Sequence, residues 1–217
     1  MSRIVIFGAG GRAGRQAVAE ARRRGHEVTA VVRDAARYQG PADAGVRIAV
    51  GDVTDTARVT ALAAGHAAAI NVTAVYGAGT DPGAFFPASA RALVAGLGAA
   101  GVGRLVAAGI ATLLPGPDGR PLLDAPGFPA EFRPFCLAHA AGRDVLRAAG
   151  DEVDWVYVSP SGDFDHDGAR RGRYAVRPHG DLADQISYPD FAIALLDEAL
   201  PDEATAPRHH RTHLAVT

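Results

Sequence analysis

The chain has 217 residues, 48% of them hydrophobic, a formal net charge of -2 and one cysteine, Cys136. This balance offers no electrostatic footing for nucleic acid, and a lone cysteine excludes an internal disulfide and suits a reducing compartment. All 22 basic residues are arginine, which excludes Schiff-base chemistry, a phosphate-loop lysine and a Tyr–Lys proton-transfer pair.

The chain opens on a buried strand, Arg3–Phe7, that runs into Gly8, Gly11 and Gly14 and then a helix over Arg12–Arg24 with Ala13, Ala17, Val18 and Ala21 on one face. Glycines at that spacing alone are a weak signal. A strand before, a helix after and a second strand at Glu27–Val32 make them the start of a dinucleotide-binding fold, in which backbone N–H groups at the helix N-terminus hold a pyrophosphate. Gly8, Gly11, Arg12, Ala13 and Gly14 are the candidate phosphate-binding residues. The second strand ends at Val32-Arg33-Asp34, with Arg37 close behind. An arginine there accommodates the 2′-phosphate of NADP, whereas an acid binds the ribose hydroxyls of NAD. Arg33, joined by Arg12, favours NADP(H); NAD(H) through Asp34 stays open.

A third strand, Val46–Val50, ends in Gly51-Asp52-Val53. Asp52 either accepts a hydrogen bond from an adenine amino group, with Val53 against the ring, or forms a helix-capping turn. Thr54 and Asp55 precede a helix over Thr56–Ala64, and a fourth strand, Ala67–Val72, ends at Asn71 and Val72, where backbone would pass the ribose and nicotinamide. A helix over Phe85–Ala100, a strand over Gly103–Ala108, a helix over Cys136–Ala149, a strand over Val153–Val158 and a helix over Pro189–Leu200 complete the pattern. Gly65, Gly101 and Gly150 stand where helices end.

Alternating strands and helices predict an α/β chain: one Rossmann-like doubly wound parallel sheet of order 3-2-1-4-5-6 with a small C-terminal lobe. The chain reads as one domain over residues 1–217, with substrate-side loops at 109–135 and 159–184. The polar stretch 206–213 precedes a possible short strand at Leu214–Val216. No apolar run approaches the roughly 20 residues of a membrane span. With no leader evident, the expectation is a cytoplasmic protein, a monomer or homodimer, acting on a small molecule without nucleic acid or membrane. His209, His210 and His213 invite a metal reading, but their place in a polar, arginine-rich tail argues against it, so no metal is expected. Phe85, Phe86, Phe128, Phe132 and Phe135 are candidates for core or for a pocket suited to a planar substrate.

The glycine turn, Val32-Arg33-Asp34 and Gly51-Asp52 continue into Arg104–Val106, Asp124–Glu131, Asp154–Pro160 and Ile186–Ala192. Together they resemble the atypical short-chain dehydrogenase/reductase superfamily, in particular NmrA-like proteins, small epimerase-like NAD(P)H-binding oxidoreductases and biliverdin IXβ (flavin) reductases. The resemblance implies that Arg33 meets the 2′-phosphate, that Asp52 contacts adenine and that Ser159 and Pro160 lie beside the nicotinamide. It also implies an NADPH-dependent reductase transferring hydride to a small activated acceptor such as a flavin, quinone or carbonyl-like compound.

One departure stands out. The superfamily's Tyr-x-x-x-Lys dyad is absent, since no tyrosine is followed four residues later by a lysine or an arginine. Thr112 and His139 are the remaining candidates for polarising a substrate, His139 as a proton donor near neutral pH. The missing dyad also keeps open a non-catalytic NADP(H)-binding sensor of the NmrA-like type. An NAD(P)-dependent epimerase or dehydratase is weaker, because those enzymes generally rely on the Tyr–Lys pair.

Overall fold

The computed structural model describes residues 1–200 and 209–217. Its strands are β1 (Arg3–Phe7), β2 (Glu27–Val32), β3 (Val46–Val50), β4 (Ala68–Asn71), β5 (Arg104–Ala108), β6 (Asp154–Pro160), β7 (Asp163–Asp165), β8 (Val176–Arg177), β9 (Gln185–Ser187) and β10 (Thr212–Val216). The helices are α1 (Arg12–Arg23), α2 (Thr56–Ala63), α3 (Pro82–Ala100), α4 (Arg133–Ala148) and α5 (Tyr188–Ala199). The first six strands pair in the predicted order 3-2-1-4-5-6, all parallel. β10 adds itself parallel to β6, and β8 closes that edge antiparallel, so the main sheet has eight strands. The C-terminal lobe carries β7 and β9, paired as a separate two-stranded sheet.

Both faces of the sheet are covered, which explains why its central strands read as unbroken apolar runs. Alternate residues of β1 go to opposite layers: Ile4 and Ile6 meet Val18, Phe191 and Leu195 from α1 and α5. Val5 and Phe7 meet Leu62, Leu93 and Leu146 from α2, α3 and α4. Fully burying such side chains is worth about 1.5–3 kcal/mol each.

Two helices start three residues before the sequence reading has them. At α3 the missed signal is Asp81, whose carboxylate accepts from Ala84 N, followed by Pro82 at the first helical position. At α4 Pro134 sits in the first turn, where its missing N–H costs nothing. α3 also corrects the expectation about apolar runs: within its 19 residues an 18-residue window has a mean hydropathy of 1.2, enough in length and composition for a span. It packs between α2 and α4 and buries Phe86, Leu93 and Leu97, as a core helix does.

The lobe is fastened to α1 by charge. Glu20, only 4% exposed, accepts from Arg23, Arg24 and Arg170. Burial by itself raises the Glu20 carboxyl, but the three guanidinium groups outweigh it and bring the pKa from 4.5 down to about 2. A depressed folded-state pKa contributes stability above the unfolded value that is lost as pH falls through the folded one. Acid titration of the wild type is therefore expected to lose stability between about pH 4.5 and 2, a loss that Glu20→Gln removes; an unchanged acid profile in Glu20→Gln contradicts this reading.

Candidate active site

The glycine turn stands where the strand order reverses, between β2 and β4 on either side of β1. Gly8 has φ 83° and lies against the end of β4, where an added Cβ would be 2.9 Å from Thr73 N and Val72 C. Gly14 is tighter: a Cβ there would be 2.1 Å from Gly8 O, so its absence lets α1 press onto the turn. Gly11 is different. A Cβ on Gly11 would meet nothing nearer than Gly8 O at 3.5 Å, so packing does not require this glycine. Gly11 is also the N-cap of α1, with no side-chain cap and no acid in the first turn. The helix therefore presents N–H groups and its positive end to the space over the turn, a setting that suits a pyrophosphate. The residues fit a dinucleotide phosphate at this point.

On the adenosine side, Arg33 and Arg37 are exposed at the end of β2, and their guanidinium groups have no hydrogen bond or ion pair among the described residues. Asp34 caps the turn that follows by accepting from Ala36 N at 2.9 Å. Asp52 accepts from both Thr54 N (2.9 Å) and the Thr54 hydroxyl (2.8 Å) through the same oxygen, Oδ1, which is the capping-turn geometry. Its other oxygen has no partner among the described residues. Val53 is buried in the core layer of α2 and α3.

Arg12 is not drawn to Arg33. It bonds His166, in the 159–184 loop of the C-terminal lobe, and the Tyr188 hydroxyl is 3.4 Å from the same imidazole nitrogen. An open cavity of about 590 Å³ lies beside this contact, lined by Arg12, Arg15, Gln39, His166 and Tyr188 among others.

The other side of the turn leads to the ends of β4 and β5. Asn71 is held in a turn, its side-chain oxygen accepting from Thr73 N and from the Thr73 hydroxyl at 2.7 Å. Val72 N donates to Phe7 O. Beyond them is a small cavity of about 20 Å³ lined by Asn71, Thr73, Phe86, Ala107, His139 and Tyr157 among others. His139 is the predicted polar residue that reaches it. Thr112 is not in its lining; the hydroxyl donates to the thiol of Cys136, 3.2 Å away. Ser159 is fully buried and shares a hydrogen bond of 2.7 Å with His213 on β10, and Pro160 ends β6 behind it, so the Ser159 hydroxyl is turned to the neighbouring strand.

His139 is 4% exposed and wedged against the rings of Phe86 and Phe135. Burial pushes its pKa down from 6.5 to about 3, so the imidazole is neutral at pH 7 and cannot deliver a proton as an imidazolium there. The burial of this ring weighs against the expected role as an imidazolium proton donor. Its Nδ1 lies 3.0 Å from the hydroxyl of Tyr157, a β6 residue that sequence reasoning missed. The period-2 alternation of Trp155, Tyr157 and Ser159 could have assigned Tyr157 to the face of α4, but nothing in the sequence pairs it with His139.

The three tail histidines separate. His209 bonds Glu198, His210 bonds Asp154 and His213 bonds Ser159. The polar residues at 206–208 lie outside the described residues.

Known proteins resemble the chain along its length. A protein of Bacillus subtilis strain 168, YwnB, is 34% identical over 206 residues, covering 90% of this chain and 91% of its own. A candidate exported protein of Burkholderia pseudomallei has a structure of the same fold, with 32% identity, a TM-score of 0.81, and coverage of 100% of this chain and 99% of that one. A Streptococcus pneumoniae TIGR4 protein, SP1627, described as a candidate NADH-flavin reductase, shares 28% identity at a TM-score of 0.78, with 100% and 99% covered. The model of the family described as NAD(P)H-binding matches residues 8–200, from the first glycine of the turn to the end of α5, and the chain belongs to that family.

Proposed function

We propose that the protein is an NADPH-dependent reductase that passes hydride to a small, planar, activated acceptor such as a flavin, a quinone or a carbonyl-like compound. The observation that carries this reading is an uncapped α1 N-terminus at Gly11 beside two arginines just past β2, Arg33 and Arg37, whose guanidinium groups have no partner among the described residues. One suits a pyrophosphate and the other a phosphate monoester. The cofactor supplies the hydride when bound, and the protein supplies binding and orientation. The flavin-reductase description of the S. pneumoniae relative supports the class of acceptor, although that description specifies NADH; Arg33 is the reason for preferring NADPH here.

An easily reduced acceptor also matches what the chain lacks. The chain has no lysine, His139 is a neutral buried imidazole and the Thr112 hydroxyl is committed to Cys136, so neither candidate side chain offers a ready proton for an unactivated ketone. Flavins and quinones can take that proton from water. The same lack favours the second reading, a sensor that binds NADP(H) without turning over any acceptor.

Arg33→Glu tests the cofactor assignment. Losing a charge-assisted bond to phosphate costs about 1.5–3 kcal/mol, or roughly tenfold to a hundredfold in the dissociation constant. Calorimetry is expected to show NADPH weakened by that factor and NADH little changed. An unaltered preference for NADPH would remove Arg33 from the account.

A further inference from the structure

The His139–Tyr157 pair leaves one hydrogen-bonding atom unaccounted for. Nε2 of His139 is buried and has no partner among the described residues, although most buried polar atoms have one. The Tyr157 hydroxyl, on a residue 5% exposed, has Nδ1 of His139 as its hydrogen-bond partner. Two arrangements of the protons are open. If Nδ1 carries the hydrogen, the tyrosine O–H and the Nε2 lone pair are both left unmet. If the tyrosine donates to Nδ1, a single group is unmet, the Nε2 N–H. Each unsatisfied buried polar group costs about 1–3 kcal/mol, so the second arrangement is favoured.

That N–H belongs to a side chain lining the cavity of about 20 Å³ at the ends of β4 and β5. A group the size of one water needs roughly 10–15 Å³, so the space admits one such atom and little more. The remaining lining residues are mostly apolar, and Ser89 is already committed to Phe86 O at 3.0 Å. We propose that His139 Nε2–H donates to a single acceptor oxygen of a conjugated carbonyl or amide on a bound planar ring, and that Tyr157 is the positioning residue that fixes the tautomer. This rests on the reading that the reactive end of a nicotinamide cofactor lies over β4 and β5. The oxygen then belongs either to the carboxamide of that cofactor or to the carbonyl of the acceptor.

Nitrogen NMR of protein labelled with ¹⁵N-histidine decides the matter, the His139 signals being those lost in His139→Gln. The expected result is a neutral ring protonated at Nε2, whose Nε2 resonance moves when ligand is added. Movement with NADP⁺ alone assigns the oxygen to the carboxamide; movement that needs menadione as well assigns it to the acceptor. A ring protonated at Nδ1, or one that NADP⁺ and menadione together leave unmoved, overturns the proposal. In turnover, His139→Leu is expected to raise KM for the partner identified by NMR about tenfold, with a smaller change in kcat. His139→Gln, whose amide N–H can reach the Nε2 position, restores part of that loss, and Tyr157→Phe falls between. Equal KM in the Leu and Gln variants also overturns it. A shift with NADP⁺ in a protein that reduces nothing fails the reductase reading alone; turnover with an unmoved imidazole fails this proposal alone.

Discussion

Gly14→Ala is expected to damage the fold, whereas Gly11→Val is expected to leave the fold intact and abolish cofactor binding. The two glycines are three residues apart, and a sequence motif treats them alike. Their surroundings differ. The added methyl at Gly14 would be 2.1 Å from Gly8 O and 2.7 Å from Ala9 Cα, both backbone atoms that cannot swing aside. Relieving the clash means moving α1 off β1, a disturbance costing about 3 kcal/mol. In a chain of this size that lowers Tm by roughly 10 °C. At Gly11 the first added carbon keeps 3.5 Å from Gly8 O, and the larger valine projects into the space over the α1 N-terminus. The expected outcome is an unchanged melting curve together with loss of NADPH binding by calorimetry. Similar melting losses in both variants would mean that Gly11 serves packing and not a ligand.

The second large effect lies at the opposite ends of the strands, where β5 begins. Arg104, 4% exposed at the start of β5, donates to Glu198 O at 2.8 Å, Glu198 Oε2 at 3.1 Å, Asp154 Oδ2 at 2.8 Å and His209 O at 2.9 Å. One guanidinium thus joins β5, β6, the end of α5 and the segment entering β10. Glu198 is itself 5% exposed, so Arg104→Ala strands a buried carboxylate with His209 as its remaining side-chain partner among the described residues. Breaking a buried pair in this way costs about 3–5 kcal/mol. Arg104→Lys is expected to recover little of it, because an ammonium cannot serve four acceptors from a planar fork. In the protein that stays folded, the dissociation constant for NADPH should be unchanged, since the glycine turn lies at the other end of the strands. A melting temperature within a degree or two of wild type in Arg104→Ala would show that the cluster is ornamental.

These two positions also mark what was legible in the sequence. The glycine spacing, the apolar runs and the flanking helices are local signals, and they gave the order of the first six strands and several element boundaries to the residue. β10 was legible only as a short apolar end, because nothing local says that residues 212–216 return beside β6. The same limit applies to the site. Gly8, Gly11, Gly14 and Arg33 declare themselves by their place relative to strand ends. Tyr157 does not, because its partner is on α4 and the pairing is made by the fold. For Arg12 the sequence shows only its place beside the glycine turn; that its guanidinium meets His166, 154 residues away, is made by the fold. The Ser159 hydroxyl is held by His213 on β10, a strand that local patterning barely registers.

In the proposed function Gly11 and Arg33 hold NADPH for transfer of hydride. The most direct measurement is the loss of reduced-nicotinamide absorbance when the purified protein is given NADPH with FMN or menadione, run beside Gly11→Val and Arg33→Glu. Turnover is expected in the wild type, none in Gly11→Val, and in Arg33→Glu a KM for NADPH raised roughly tenfold to a hundredfold. Tight NADPH binding with no turnover of either acceptor would contradict the reductase and leave the sensor; turnover that survives in Gly11→Val would contradict the site itself.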